Sequence, residues 1–214
     1  MNDQTYGYGF WSLMVVNVAI YVVLTFYFFR PQTLRDWCSF GAFSVFLIVH
    51  FTEMYGTPLS DDLLAASLQN RFADIGWLSR NVGHPLDALA GWRANPLFGP
   101  FNLMSYALIA SGLVLISAAS HVLHAVQQQH ALARTGAYAH IRHPQYVGFM
   151  LIMFGFLLQR PTLLIIAMSA VLVGMYVHLA REEEDELSAE FGEAYSIYSR
   201  RVPAFMPKIA TDPH

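Results

Sequence analysis

The chain has 214 residues, 55% of them hydrophobic and 13% charged, with a formal net charge of -3 and a mean hydropathy of +0.39. Soluble domains carry roughly 25% charged residues, so this composition excludes a water-soluble globule of this size. The balance of charge also excludes the basic footprint of a nucleic-acid binder, and the single cysteine, Cys38, excludes an internal disulfide.

A membrane span needs about 20 predominantly apolar residues. Phe10 to Phe29 meets that length and is closed by Arg30-Pro31. No Lys or Arg precedes it, unlike the basic start of a cleavable signal peptide, so it is expected to be a retained span. Trp37 to Tyr55 is the second span, ended by Gly56-Thr57-Pro58. Ser60 to Pro100 mixes charges with Trp77 and Trp92 and reads as an ordered extramembrane loop. Phe101 to Ala119 is the third span and runs into His121, His124 and a glutamine tract.

Tyr146 to Leu158, short for a span, and Thr162 to Leu179 are the fourth and fifth. Only Gln159-Arg160-Pro161 separates them, which predicts an antiparallel helical hairpin. Gly148, Gly155 and Gly174 are expected to let its two backbones approach closely. Beyond Leu179 come the acids Glu182 to Glu186, then Leu187, Phe191, Tyr195 and Tyr198 on one helical face. This predicts an amphipathic helix that continues from the last span or folds back beneath it. The expected fold is therefore an all-α polytopic membrane protein of about five transmembrane helices. Residues 1–100 form an N-terminal part, integrated in one domain with the chemistry-bearing 101–214.

With five spans, Arg30, Arg35, Arg134, Arg142, Arg181, Arg200, Arg201 and Lys208 share one side, and Arg71, Arg80, Arg93 and Arg160 the other. Basic residues collect on the cytoplasmic side, which predicts a cytoplasmic C-terminus in an inner or plasma membrane.

Two polar groups stand out. In the second span, His50 and Glu53 lie at i, i+3. Ionisable residues within a span are functional candidates, and this pair is equally a mutually satisfied couple near the membrane boundary. Near the C-terminus, Arg142-His143-Pro144-Gln145-Tyr146 precedes the predicted hairpin. Pro144 suits a first helical turn, and His143 is then free to face a ligand at a helix N-terminus. The acidic run favours a cationic partner: Arg134, Arg142 or a cationic ligand.

Thr135-Gly136-Ala137-Tyr138 followed by Arg142-His143-Pro144-Gln145-Tyr146-Val147-Gly148 resembles the RHPxYxG signature of the isoprenylcysteine carboxyl methyltransferase family, which related phospholipid N-methyltransferases share in part. His130-Ala131-Leu132 resembles its H-x-L lead-in. Glu182-Glu183-Glu184, Phe191-Gly192-Glu193-Ala194-Tyr195 and Arg201-Val202-Pro203 resemble its tail. The resemblance covers about His130 to Pro207 and implies an S-adenosylmethionine-dependent methyltransferase. It implies a cofactor site of His130, Leu132, Gly136, Tyr138, His143, Pro144, Tyr146, Glu182 and Glu183. Glu183 would meet the amino group, while His143 and backbone N–H groups near Pro144 would receive the carboxylate. Arg142 would orient a carboxylate acceptor; His140, Glu184 or Tyr146 would serve as base for an amine or thiol. Catalysis is thus expected from Arg142, Glu184 and Tyr146, with His50, Glu53 and Arg201 as substrate contacts and no metal. Where the family carries Arg before the acidic run, this chain has Tyr176 and His178, a departure that weakens the carboxyl-methylating expectation more than cofactor binding. The expected acceptor is a lipid or membrane-partitioning small molecule. The competing reading is a membrane protein handling a metal or quinone with His50, Glu53, His121 and His124 on the same scaffold.

Overall fold

The computed structural model describes residues 10–55, 98–127 and 131–207. His130, Lys208 and nearly all of the expected loop from Ser60 to Pro100 lie outside the described residues. Six helices are present among those described: α1 Trp11–Phe29, α2 Leu34–Tyr55, α3 Pro100–Gln127, α4 Pro144–Gln159, α5 Leu163–Phe191 and α6 Glu193–Arg201, with a 3₁₀ turn at Gly136–Ala139. Four of them, α1, α2, α3 and α5, are long and apolar enough to cross a membrane, and α4 is a shorter apolar helix. The protein is an integral membrane protein of the all-α, polytopic kind.

The ends of these helices follow local chemistry. At the start of α2, Thr33 Oγ1 accepts from the Asp36 amide at 3.1 Å, and Asp36 Oδ2 accepts from the Thr33 amide at 2.9 Å. This reciprocal cap starts the helix at Leu34, earlier than hydropathy alone indicates. Pro144 opens α4 as expected, and Thr162 caps α5 through the Ile165 amide. At 1.5 Å per residue, the 16 residues of α4 reach about 24 Å, short of a hydrocarbon core of about 30 Å.

The fourth and fifth runs do form a hairpin, joined at 160–162, but α4 packs chiefly on α3 rather than on its hairpin partner. A Cβ on Gly148 would fall 2.5 Å from Ile116 Cγ1 and 2.9 Å from the Gly112 carbonyl oxygen. One on Gly155 would fall 2.6 Å from Ile109 Cγ1 and 2.9 Å from the Ser105 carbonyl oxygen. Gly174 has nothing within 4 Å of the corresponding point. Close backbone approach is thus real at two of the three expected glycines, and it is made to α3.

An aromatic core ties the helices together. The Phe149 ring lies 4.9 Å from Phe29, 5.0 Å from Phe43 and 5.6 Å from Tyr176. Tyr176 also donates to the Ser39 carbonyl at 3.4 Å. The acidic run is not a separate element, because α5 continues unbroken from Leu163 to Phe191. At Gly192 (φ 53, ψ -121) the chain turns and α6 begins. The expected apolar face, Leu187 to Tyr198, is therefore folded in two. Only glycine takes that backbone conformation without strain.

Candidate functional site

Four pieces of chain meet at the end of the bundle where α1 joins α2. They are that connection, the loop 131–143 with the first turn of α4, the distal half of α5, and α6. The C-terminal segment fastens them. The Arg142 amide donates to the Pro203 carbonyl at 2.9 Å, the His143 amide to Ala204 at 3.1 Å, and the Phe205 ring lies 5.6 Å from the His143 ring. Tyr198 donates to the Tyr138 carbonyl at 2.7 Å, and Arg142 to the Ser199 carbonyl at 2.8 Å.

These pieces enclose a cavity of about 270 Å³. Six residues anticipated from the sequence line it: Leu132, Tyr138, Arg142, His143, Tyr146 and Glu183. Glu184 stands behind the wall, where Oε1 lies 2.7 Å from an Arg142 amino group and 2.8 Å from His143 Nε2. Glu184, expected as a candidate base, therefore fixes the two side chains of the turn. Pro144 is buried at the head of α4, while Gly136 (φ 59) turns the chain without lining the cavity. Glu182 points away and meets His178 at 3.3 Å on the exposed side. Arg201 is exposed at the end of α6. His140 is exposed, with Nδ1 3.3 Å from the Gly136 carbonyl oxygen.

Sequence reasoning missed the contribution of the α1–α2 connection. Thr33, Arg35 and Asp36 line the same cavity, and Arg35 is ion-paired with Glu186 of α5. It also missed that Leu187, Phe191, Tyr195 and Tyr198, identified only as a helical stripe, become cavity wall. The stripe was the available signal; the break at Gly192 turns it inward.

The lining carries four carboxylates, Asp36, Glu183, Glu186 and Glu190, against two guanidiniums, Arg35 and Arg142, so it favours a cation. An ionised Glu184 only accepts, so His143 Nε2 carries the proton and, in the neutral ring, Nδ1 presents a lone pair. Nδ1 lies 3.4 Å from Glu183 Oε2 yet has no hydrogen-bond partner. In that form Glu183 Oε2 and His143 Nδ1 are two neighbouring acceptors with no donor between them. The Tyr195 hydroxyl and Arg142 Nε are buried donors without partners. Burial, and then repulsion by Glu184, pushes the Tyr195 hydroxyl up to about 12. Burial likewise raises Tyr198 to about 12, against the pull of Arg142. Burial and Glu183 hold Tyr138 well above its ordinary value. All three phenols are neutral donors at physiological pH.

Of the backbone N–H groups near Pro144 that the sequence offers to a ligand carboxylate, those of Arg142 and His143 are taken by the Pro203 and Ala204 carbonyls.

His50 and Glu53 are both buried toward the other end of the bundle. His50 packs against Phe156 at 4.8 Å and Phe51 at 5.2 Å, with both ring nitrogens unpartnered. His121 and His124 are exposed at the site end of α3, so the four residues of the metal-handling reading do not converge. Among the described residues no three His, Cys, Asp or Glu side chains group as a metal site.

Residues 102–189, which span α3 to the distal part of α5, match the model of the isoprenylcysteine carboxyl methyltransferase (ICMT) family. The chain is 27% identical to the protein-S-isoprenylcysteine O-methyltransferase of Schizosaccharomyces pombe over 80% of its own length and 84% of the relative's. It is 27% identical to the human protein of that name, covering 81% of this chain and 66% of the relative. It is 33% identical to the Xenopus laevis one, covering 83% and 67%. No solved structure matches.

Proposed function

The chain belongs to the isoprenylcysteine carboxyl methyltransferase family and is an integral membrane methyltransferase, and from that premise we propose that the acid-lined cavity holds S-adenosylmethionine and that the acceptor is a lipid-like molecule. The observation that carries the proposal is the pair of facing acceptors, Glu183 Oε2 and His143 Nδ1. It fits the amino group of an amino acid. The surplus of carboxylates around it fits a sulfonium, and the partnerless Tyr195 hydroxyl and Arg142 Nε fit the amino acid's carboxylate.

Bound there, S-adenosylmethionine supplies an electrophilic methyl group. The residues of the chain do the rest by position. Glu183 and the neutral His143 ring would accept from the amino group. Glu184 holds the His143 ring and the Arg142 guanidinium in fixed orientation, which matters because displacement at carbon depends on alignment. The aromatic faces of Tyr146 and Tyr138 border the cationic centre. The acceptor's nucleophile is a carboxylate, an amine or a thiol. The bilayer-facing helices beside the cavity, and the prenylated substrates named by the relatives, support an acceptor drawn from the membrane. The basic residues at this end of the bundle support a cytoplasmic cavity.

Calorimetric titration with S-adenosylmethionine and with its demethylated product tests the cofactor assignment. Losing a charge-assisted hydrogen bond costs about 1.5–3 kcal/mol, so Glu183→Gln is expected to weaken binding by roughly ten- to a hundredfold. Absence of binding to the wild-type protein at millimolar ligand would sink the proposal.

A further inference from the structure

A second cavity, of about 200 Å³, is lined by Tyr27, Phe28, Arg30, Ser117, Ser120, His121 and His124. It lies where α1 ends against α3, and Ser120 donates to the Phe29 carbonyl at 3.0 Å. The first cavity is rich in acids; this one has none in its lining. None of its cation-capable groups is ion-paired among the described residues. Arg30 donates Nε to the Tyr27 carbonyl at 3.3 Å and stacks over the Tyr27 ring at 5.5 Å. Its terminal amino groups have no partner among the described residues, nor do the His121 and His124 rings or the Ser117 hydroxyl. The guanidiniums of the first cavity, Arg35 and Arg142, are both ion-paired.

The backbone at Arg30 adds an independent sign. It is the one non-glycine residue with positive φ among those described (φ 47). An L residue is strained there, and such outliers persist where they serve a site. Glycine would cap α1 more easily; arginine holds the same turn and carries a guanidinium into the cavity. The negative end of the α1 dipole is muted, because the carbonyls of Phe26, Tyr27 and Phe29 already accept from the Arg30 amide, Arg30 Nε and Ser120. One and two turns before Arg30 on the same helix, Phe26 and Val23 have exposed apolar side chains.

We propose that this second cavity is a binding site for a phosphate oxyanion, and that a membrane phospholipid headgroup supplies it. Arg30 provides the permanent charge, His121 and His124 provide N–H donors three residues apart on one helix face, and Ser117 provides a hydroxyl. The acyl chains lie along α1. The proposal is independent of the methyl-transfer assignment, since no residue is shared by the two linings.

The full chain in nanodiscs of phosphatidylcholine doped with phosphatidylglycerol, analysed by native mass spectrometry, tests it. Wild-type protein is expected to retain phosphatidylglycerol preferentially. Arg30→Gly is expected to lower that retention about fivefold, the effect of one basic residue near an anionic surface, while melting at an equal or higher temperature because the strained turn is relieved. His121→Gln/His124→Gln is expected to lower retention as well. Displacement of the retained lipid by millimolar inorganic phosphate is expected if the headgroup occupies the oxyanion site; protection of the protein by phosphate with no preferential lipid retention would keep the oxyanion site and overturn its lipid source. Retention unchanged in both variants would overturn the site itself.

Discussion

Replacing Gly148 by alanine places a methyl carbon 2.5 Å from Ile116 Cγ1 and 2.9 Å from the Gly112 carbonyl oxygen. Neither neighbour yields cheaply: Cγ1 is fixed to the Cβ of a β-branched side chain, and the carbonyl belongs to the backbone of α3. Restoring ordinary contact requires α3 and α4 to separate by roughly 1 Å, and a gap of that size forfeits a quarter to a half of each dispersion contact it opens. Overpacking of this kind costs about 1–3 kcal/mol, offset by up to about 1 kcal/mol gained when a helical glycine becomes alanine. Gly174→Ala receives the same helix gain with no atom in its way. The two variants should therefore differ by about 2 kcal/mol in chemical unfolding in mixed micelles, with Gly174→Ala the more stable. Gly148 follows Tyr146 by two residues, so the separation also moves a cavity wall, and affinity for the demethylated cofactor should fall in Gly148→Ala alone. Equal stability of the two variants would refute the close α3–α4 packing.

Three other outcomes are expected. Glu184→Gln weakens the shared partner of Arg142 and His143; breaking a buried pair costs about 3–5 kcal/mol, and roughly half of that is expected here because Glu184 is 27% exposed, read as a lower melting temperature together with weaker cofactor binding. Gly192→Ala forces a side chain into φ 53, ψ -121, which costs about 1–3 kcal/mol, and hydrogen exchange over residues 193–201 should accelerate. Tyr195 keeps its proton up to about 12 in the fold and releases it near 10 when unfolded, so its contribution to stability is complete below pH 10 and is lost as pH rises to 12; Tyr195→Phe should lose less stability than wild type across that window in alkaline unfolding.

The helices were legible because hydropathy is local: each run of apolar residues became a helix starting within a few positions of its expected start, although α3 and α5 run on past Ala119 and Leu179 to Gln127 and Phe191. The Arg142 to Tyr146 turn and the acidic run stood out because their residue types are chemically unusual beside a membrane, and the resemblance singled out Glu183 within the run. Arg35 and Asp36 were not. Nothing near them in sequence hints at a site, and their role comes from the pairing of Arg35 with Glu186, 151 positions away. The preference of α4 for α3 was equally hidden, since Gly174 and Gly148 look alike in sequence and differ only in what stands opposite. Glu182 and Glu183 are neighbours of identical chemistry; the turn of α5 sends one to His178 outside and the other into the cavity.

The unbroken course of α5 from Leu163 to Phe191 makes the carboxylates part of a screw whose thread begins in the membrane. Each residue advances the phase of that screw by about 100°. One residue inserted or deleted between the aromatic anchor at Tyr176 and Glu183 would swing the acid about a quarter-turn off the cavity, and no rotamer could bring it back. Four inserted residues would nearly restore the phase but lift the acid about 6 Å along the axis. Homologous chains can thus differ freely in the length of their connecting loops, while this stretch of helix must be inherited with its residue count intact.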